Sequence, residues 1–129
     1  MEENSAKKIL IVDDEPSIGE VCWEILTYEG FYVELASNGK VARKMVEVAT
    51  YDVILLDIRM PEENGKDFFR WFSEEHPQLE KTIAFTSGDT MSGETRIEMG
   101  STTRPFLPKP FTPDELKAFV QSVLDEAGK

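Results

Sequence analysis

Four short apolar runs, each leading to a reactive side chain, constrain this sequence more than any other feature. Ile9-Leu10-Ile11-Val12 ends in Asp13-Asp14, Val53-Ile54-Leu55-Leu56 in Asp57, and Ile83-Ala84-Phe85 in Thr86, while Phe106-Leu107 leads to Lys109-Pro110. Short continuous runs are what strands buried on both faces require. Between them the apolar period becomes helical. Ile18, Val21, Cys22, Ile25 and Leu26 recur at helical spacing, opened by Pro16 and closed by Gly30. Phe31, Val33 and Leu35 alternate with polar neighbours, which predicts a half-exposed strand at a sheet edge. Asn38 is placed to cap a second helix carrying Val41, Ala42, Met45 and Ala49, and a third from Gly65 carries Phe68, Phe69 and Phe72. Met91 to Met99 is a weakly patterned fourth helix. Pro105 and Pro108 flank Phe106-Leu107 and confine that strand to an edge. Thr112-Pro113-Asp114-Glu115 is a capping box before the last helix, whose buried stripe is Leu116, Phe119, Val120, Val123 and Leu124.

Five β-α units in succession imply a five-stranded parallel sheet with helices on both faces. The edge character of the second and fifth strands fits the order 2-1-3-4-5. In such a sheet Asp13, Asp14, Asp57, Thr86 and Lys109 meet at the carboxyl edge, where open α/β sheets place their ligands. The organisation expected is a disordered segment over 1–7, one domain over 8–126 and a tail over 127–129, with no output domain attached.

A chain of 129 residues, 40% hydrophobic and 30% charged, is long enough to bury one core. Its formal net charge of −11 argues against direct nucleic-acid binding, which needs a basic surplus to displace counterions. Cys22 is the only cysteine, which excludes an internal disulfide and a cysteine metal cluster, and its place in the helical stripe predicts plain packing. No apolar stretch is long enough to span a bilayer or to serve as a signal-peptide core, so a cytosolic protein without membrane contact is expected. His76, the only histidine, precedes Pro77 and is expected at the solvated end of the third helix. Trp23 and Trp71 fall in helices, where amphipathic packing is expected of both. Neither G-x-G-x-x-G nor a P-loop occurs.

Carboxylates gathered at one edge repel one another, and burial adds to the cost of keeping them charged. A divalent cation resolves that conflict. Oxygen-only ligands select a hard ion, Mg²⁺ with Mn²⁺ as its substitute, which leaves coordination positions for phosphate oxygens. A carboxylate beside such an ion can act as nucleophile toward phosphorus. The transferring oxygens then need neutralisation, which a Lys ammonium and a hydroxyl can supply alongside the metal.

Taken together, Ile9-Leu10-Ile11-Val12-Asp13-Asp14-Glu15, Leu55-Leu56-Asp57-Ile58-Arg59-Met60-Pro61 with Gly65, Phe85-Thr86-Ser87-Gly88 and Phe106-Leu107-Pro108-Lys109-Pro110-Phe111 resemble the receiver domain of two-component response regulators. They stand in the family's order and spacing over essentially residues 8 to 126. The resemblance implies a flavodoxin-like receiver fold that catalyses its own phosphorylation and dephosphorylation and is a signalling domain, not an enzyme. Asp57 would be the phosphoacceptor, taking a phosphoryl group from the phosphohistidine of a histidine kinase or histidine phosphotransfer domain. Asp14 would bind Mg²⁺ directly, Asp13 directly or through water, and Asp57 and the backbone carbonyl of Arg59 would complete the protein ligands. Lys109 would pair with the phosphoryl oxygens, with Lys109-Pro110 a candidate cis peptide. Thr86 and Phe106 would form the switch, moving toward the phosphate and inward behind it. That coupling would remodel the surface of the fourth helix, fifth strand and fifth helix for a downstream protein, and a phosphorylation-dependent dimer is one output it allows. Arg59 and Gly88 would tune dephosphorylation. Two departures stand out: Glu63 and Lys66 make the loop after Asp57 more polar than usual. Gly100-Ser101-Thr102-Thr103-Arg104-Pro105 replaces the usual Gly-Ala turn and is similar to receivers at the C-termini of hybrid histidine kinases.

Two other readings compete. Haloacid-dehalogenase-like phosphohydrolases also form an aspartyl phosphate, but they carry Asp-x-Asp on the first strand, where this chain has Asp13-Asp14. A flavodoxin-like cofactor binder shares the strand order, yet three acids stand where a phosphate loop would be needed.

Overall fold

A computed structural model describes residues 6–58, 65–87 and 104–128. The expected fourth helix over Met91 to Met99 lies outside these residues, as do Arg59, Glu63 and Gly88.

The apolar runs form the strands β1 (Lys8–Val12), β2 (Tyr32–Ala36), β3 (Val53–Asp57), β4 (Ile83–Ser87) and β5 (Phe106–Pro108). All pair in parallel, in the order β2-β1-β3-β4-β5. The helices are α1 (Pro16–Tyr28), α2 (Gly39–Val48), α3 (Gly65–Glu75) and the C-terminal helix Pro113–Ala127. Strand alternation splits the core into two layers. Ile9, Ile11, Val53, Leu55 and Ala84 pack with Cys22 and Leu26 of α1 and with Leu116, Val120 and Val123 of the C-terminal helix. Leu10, Val12, Ile54, Leu56, Ile83 and Phe85 pack on the other face with Ala42 of α2 and Phe68 and Phe72 of α3. Each fully buried large side chain contributes about 1.5–3 kcal/mol, so both faces are needed to hold the central strands. Among the described residues no helix is long and apolar enough to cross a membrane.

Local signals in the sequence act where expected. The Asn38 side chain accepts from the Val41 N–H at 2.9 Å and starts α2. Both halves of the capping box form: Glu115 N–H donates to Thr112 Oγ1 at 3.1 Å and Thr112 N–H to Glu115 Oε1 at 2.8 Å. Gly30 takes φ +100 after α1, a conformation few side chains tolerate, and lets Phe31 N–H return to the Leu26 carbonyl.

Three expectations are corrected. Val21 is 49% exposed, because it sits about 100° around the helix from Cys22, on the flank of a stripe centred on Gly19, Cys22 and Leu26. Trp23 likewise faces solvent at 44% exposure, whereas Trp71 packs against the core under the Arg43 guanidinium, 4.7 Å from its ring. His76 does follow the last residue of α3, its N–H donating to the Phe72 carbonyl at 2.7 Å, but it is half-buried rather than fully solvated. Its ring meets Trp71 and Phe72 at centroid distances of 6.0 and 5.1 Å, and it precedes an unanticipated 3₁₀ helix, Pro77–Thr82. Thr82 Oγ1 donates to the Leu79 carbonyl at 2.7 Å, so Thr82 closes that turn and β4 starts at Ile83.

The buried Cys22 thiol is pushed up from 9.0 to about 11, chiefly by burial and then by the Asp13 charge, against the opposing Lys109 ammonium. The folded state therefore holds the thiol proton more tightly than the unfolded chain. That contribution to stability is fully present below pH 9.0 and is lost as pH rises toward about 11. Alkylation by iodoacetamide at pH 8 is expected to be far slower in the native protein than in urea. Equal rates would show that the α1 face is open.

Candidate functional site

The carboxyl edge of the sheet is assembled by strand register. Asp13 follows β1, and its N–H donates to the Ala36 carbonyl at 3.1 Å, extending the β1–β2 pairing by one residue. Its Oδ1 accepts from the Glu15 N–H at 2.9 Å, which turns the chain into α1. Asp57 closes β3 directly opposite Thr86 of β4, and Ile58 N–H donates to the Thr86 carbonyl at 3.0 Å. Lys109 follows β5, and the Lys109-Pro110 peptide is cis.

These elements converge on one cluster. Carboxylate oxygens of Asp13, Asp14 and Asp57 all lie within 4.8 Å of one another. Lys109 Nζ is 2.7 Å from Asp13 Oδ2, 3.3 Å from Asp57 Oδ2 and 3.3 Å from Glu15 Oε1. The side chains of Asp13 and Asp57 are buried and that of Lys109 is only 9% exposed, so these charges interact with reduced solvent screening. Burial alone would lower the Lys109 pKa, but Asp13, then Asp57 and Glu15, raise it above the usual lysine range. The ammonium is therefore fully charged at neutral pH. It still leaves the aspartate trio with an excess of negative charge, and an all-oxygen donor set with that excess suits a hard divalent cation.

Of the residues singled out from sequence, Asp13, Asp14, Asp57 and Lys109 come together, with Thr86 buried beside Asp57. Phe106 is half-buried, paired with Phe85 and packed on the core layer that α3 covers. The Arg59 carbonyl lies outside the described residues. A cavity of about 280 Å³ opens beside the acids between the starts of α1 and α2, with Gly19, Leu35 and Val41 among its walls.

Two residues were not anticipated. Glu15 pairs with Lys109, and its signal was the presence of a Glu where helix starts favour Ser, Thr, Asp or Asn. Arg104 is buried and donates to the Ile83 and Lys81 carbonyls and to Glu126. An arginine between Thr103 and Pro105 carries no pattern that announces burial.

Comparison with known proteins agrees with this geometry. The family description "response regulator receiver domain" matches residues 9–121. The transcriptional regulatory protein CusR of Escherichia coli K12 is 34% identical over 117 residues, covering 91% of this chain and 51% of that protein. The chain spans about half the length of the curated relatives it matches. Chemotaxis protein CheY4 of Vibrio cholerae superposes with a TM-score of 0.83 at 32% identity, covering 93% of this chain and all 100% of that one. The signal receiver domain of a histidine kinase from Syntrophus aciditrophicus gives 0.82 at 27% identity, covering 94% and 92%. The chain belongs to the response regulator receiver domains of two-component signalling, modules that interact with histidine kinases, carry an aspartate cluster typical of a receiver Mg²⁺ site, and are not enzymes in the usual sense.

Proposed function

We propose that this domain is the phosphoacceptor of a cytoplasmic phosphorelay, taking a phosphoryl group onto Asp57 from the phosphohistidine of a histidine kinase or histidine phosphotransfer domain. The observation that carries this reading is Asp57 itself: a buried carboxylate within 4.8 Å of two others and 3.3 Å from a buried ammonium. An Asp57 oxygen forms the new O–P bond as the P–N bond to the donor imidazole breaks, leaving an acyl phosphate. Asp13, Asp14, Asp57 and the Arg59 carbonyl are the residues that would hold Mg²⁺, which when bound neutralises charge on the transferring oxygens. Lys109 supplies the second positive charge, and the Thr86 hydroxyl a hydrogen bond to the incoming group.

The strand register supports a path to the output surface. Thr86 stands opposite Asp57, and Phe85, one residue before it, pairs with Phe106. A Thr86 drawn toward the phosphoryl group leaves room behind it for Phe106, so β5 and the C-terminal helix belong to the surface offered to a downstream protein or a second copy; the expected fourth helix lies outside the described residues. Support for the hybrid-kinase-like subtype comes from the run Gly100 to Pro105, not from the likeness to the Syntrophus receiver. CusR and CheY4 match as well, so this run alone carries the distinction.

Incubation with acetyl phosphate tests the reading. Intact mass is expected to rise by one phosphoryl group in Mg²⁺ and to stay unchanged in EDTA. A folded protein that gains nothing with Mg²⁺ present overturns a self-catalysing acceptor.

A further inference from the structure

Position 15 breaks a local rule. A helix ordinarily starts on a residue whose short side chain accepts from the first free N–H groups. Glu15 holds that place before α1, and its side chain makes no capping bond. Its backbone is fixed all the same. The N–H donates to Asp13 Oδ1 at 2.9 Å, and the carbonyl accepts from Ile18 and Gly19 at 3.1 Å. Freed from capping, the carboxylate reaches Lys109, with Oε1 3.3 Å from Nζ, the same separation as Lys109 from Asp57. Departures from local propensity at a functional edge are where a role is to be sought.

The three carboxylates around Lys109 are not equivalent. Side chains of Asp13 and Asp57 are 3% and 5% exposed, whereas that of Glu15 is 58% exposed. A lysine ammonium has three N–H donors, and all three are engaged here. A phosphoryl group on Asp57 brings nearly two negative charges and three acceptor oxygens; the Lys109 donor now on Asp57 can pass to one of them, and meeting a second means releasing another partner. Releasing Asp13 would take the ammonium from a buried carboxylate oxygen that water does not reach freely. Releasing Glu15 hands an exposed one to water, at the small cost of a surface ion pair.

We propose that Glu15 is a positioning residue that restrains Lys109 in the unphosphorylated protein and slows phosphoryl transfer, because its pairing must break as the group arrives. This rests on the reading of Asp57 as acceptor and Lys109 as its phosphoryl partner.

The test compares acetyl-phosphate labelling rates at saturating Mg²⁺ in wild type and Glu15→Gln, and again with both residues at position 15 in a Lys109→Ala background. With Lys109 present, the substitution is expected to raise the rate about 3-fold, the size of one exposed ion pair. The gain should shrink in 1 M salt, where the screening length falls to about 3 Å. In the Lys109→Ala background the slow residual rate should be the same with Glu or Gln, and the Mg²⁺ concentration for half-maximal rate should not move. An equal gain without Lys109 would mean that Glu15 acts on the donor through its charge alone, and the proposal falls. A slower rate with a higher Mg²⁺ requirement would place Glu15 in the metal site, and no change would deny it any role; either overturns the proposal. Wild type that takes up no phosphoryl group would strike instead at the acceptor reading beneath it. Thermal melts confirm that each variant is folded.

Discussion

Asp57→Asn is expected to reduce phosphoryl incorporation to background with any small-molecule donor, while the domain stays folded. The amide keeps the shape of the side chain but is not a nucleophile, and among the described residues no other carboxylate sits at the end of β3 with an ammonium 3.3 Å away. Mg²⁺ affinity should fall as well, because one of three clustered carboxylates is lost. Replacing even an outer-shell partner of a metal ligand costs about 10- to 100-fold in affinity, and a direct ligand should cost at least that. Stability moves the other way. Lys109 retains Asp13 at 2.7 Å, and the mutual repulsion of the trio is relieved, so the melting temperature without Mg²⁺ should hold or rise. Intact mass, Mg²⁺ calorimetry and a thermal melt read the three effects. A mass gain that survives the substitution would point to Asp13 or Asp14 as acceptor and sink the assignment.

That the acceptor site can be read from sequence follows from how parallel sheets are built. A buried central strand needs a continuous apolar run, and the residue ending the run must lie at the sheet edge. Asp13, Asp57 and Thr86 were placed together by that rule alone, and the register confirms the pairing of Asp57 with Thr86. Edge strands gave themselves away too, β2 by alternation and β5 by its flanking prolines. What was not legible depends on packing rather than on pattern. Val21 fits the helical period but falls on its flank, since periodicity locates a stripe better than its width. His76 and the 3₁₀ turn after it look in sequence like a helix end, because what holds that turn against the core is the packing of Leu79 and the bond from the distant Arg104 to the Lys81 carbonyl. Glu15 and Arg104 were missed because a charged side chain carries no periodic signature, and its partners are far away in sequence.

Arg104→Met is expected to be among the more destabilising single changes available outside the two core layers. The guanidinium is 4% exposed and donates to the Ile83 carbonyl at 2.8 Å, the Lys81 carbonyl at 2.8 Å and Glu126 at 2.9 Å. It thereby ties the end of the 3₁₀ helix and the first residue of β4 to the C-terminal helix, beside the Phe85-to-Pro105 bond that docks the approach to β5. Methionine fills much of the volume but leaves two carbonyls without that donor. Stranding buried acceptors costs about 1–3 kcal/mol each, so a loss of about 3 kcal/mol in urea unfolding is expected. Arg104→Lys should recover only part of it, since an ammonium cannot match a planar fork spread across three acceptors. Glu126→Gln should cost under about 1 kcal/mol, because that carboxylate is 44% exposed and screened by solvent. A methionine variant as stable as wild type would show that the carbonyls find other donors and that the clamp is incidental. Labelling at Asp57 should persist in the methionine variant below its melting point. The clamp grips β4 at Ile83, while the phosphoryl site lies at the opposite end of that strand, beside Thr86. Loss of labelling in a folded variant would mean instead that the clamp sets the Thr86 register, coupling the two ends of β4.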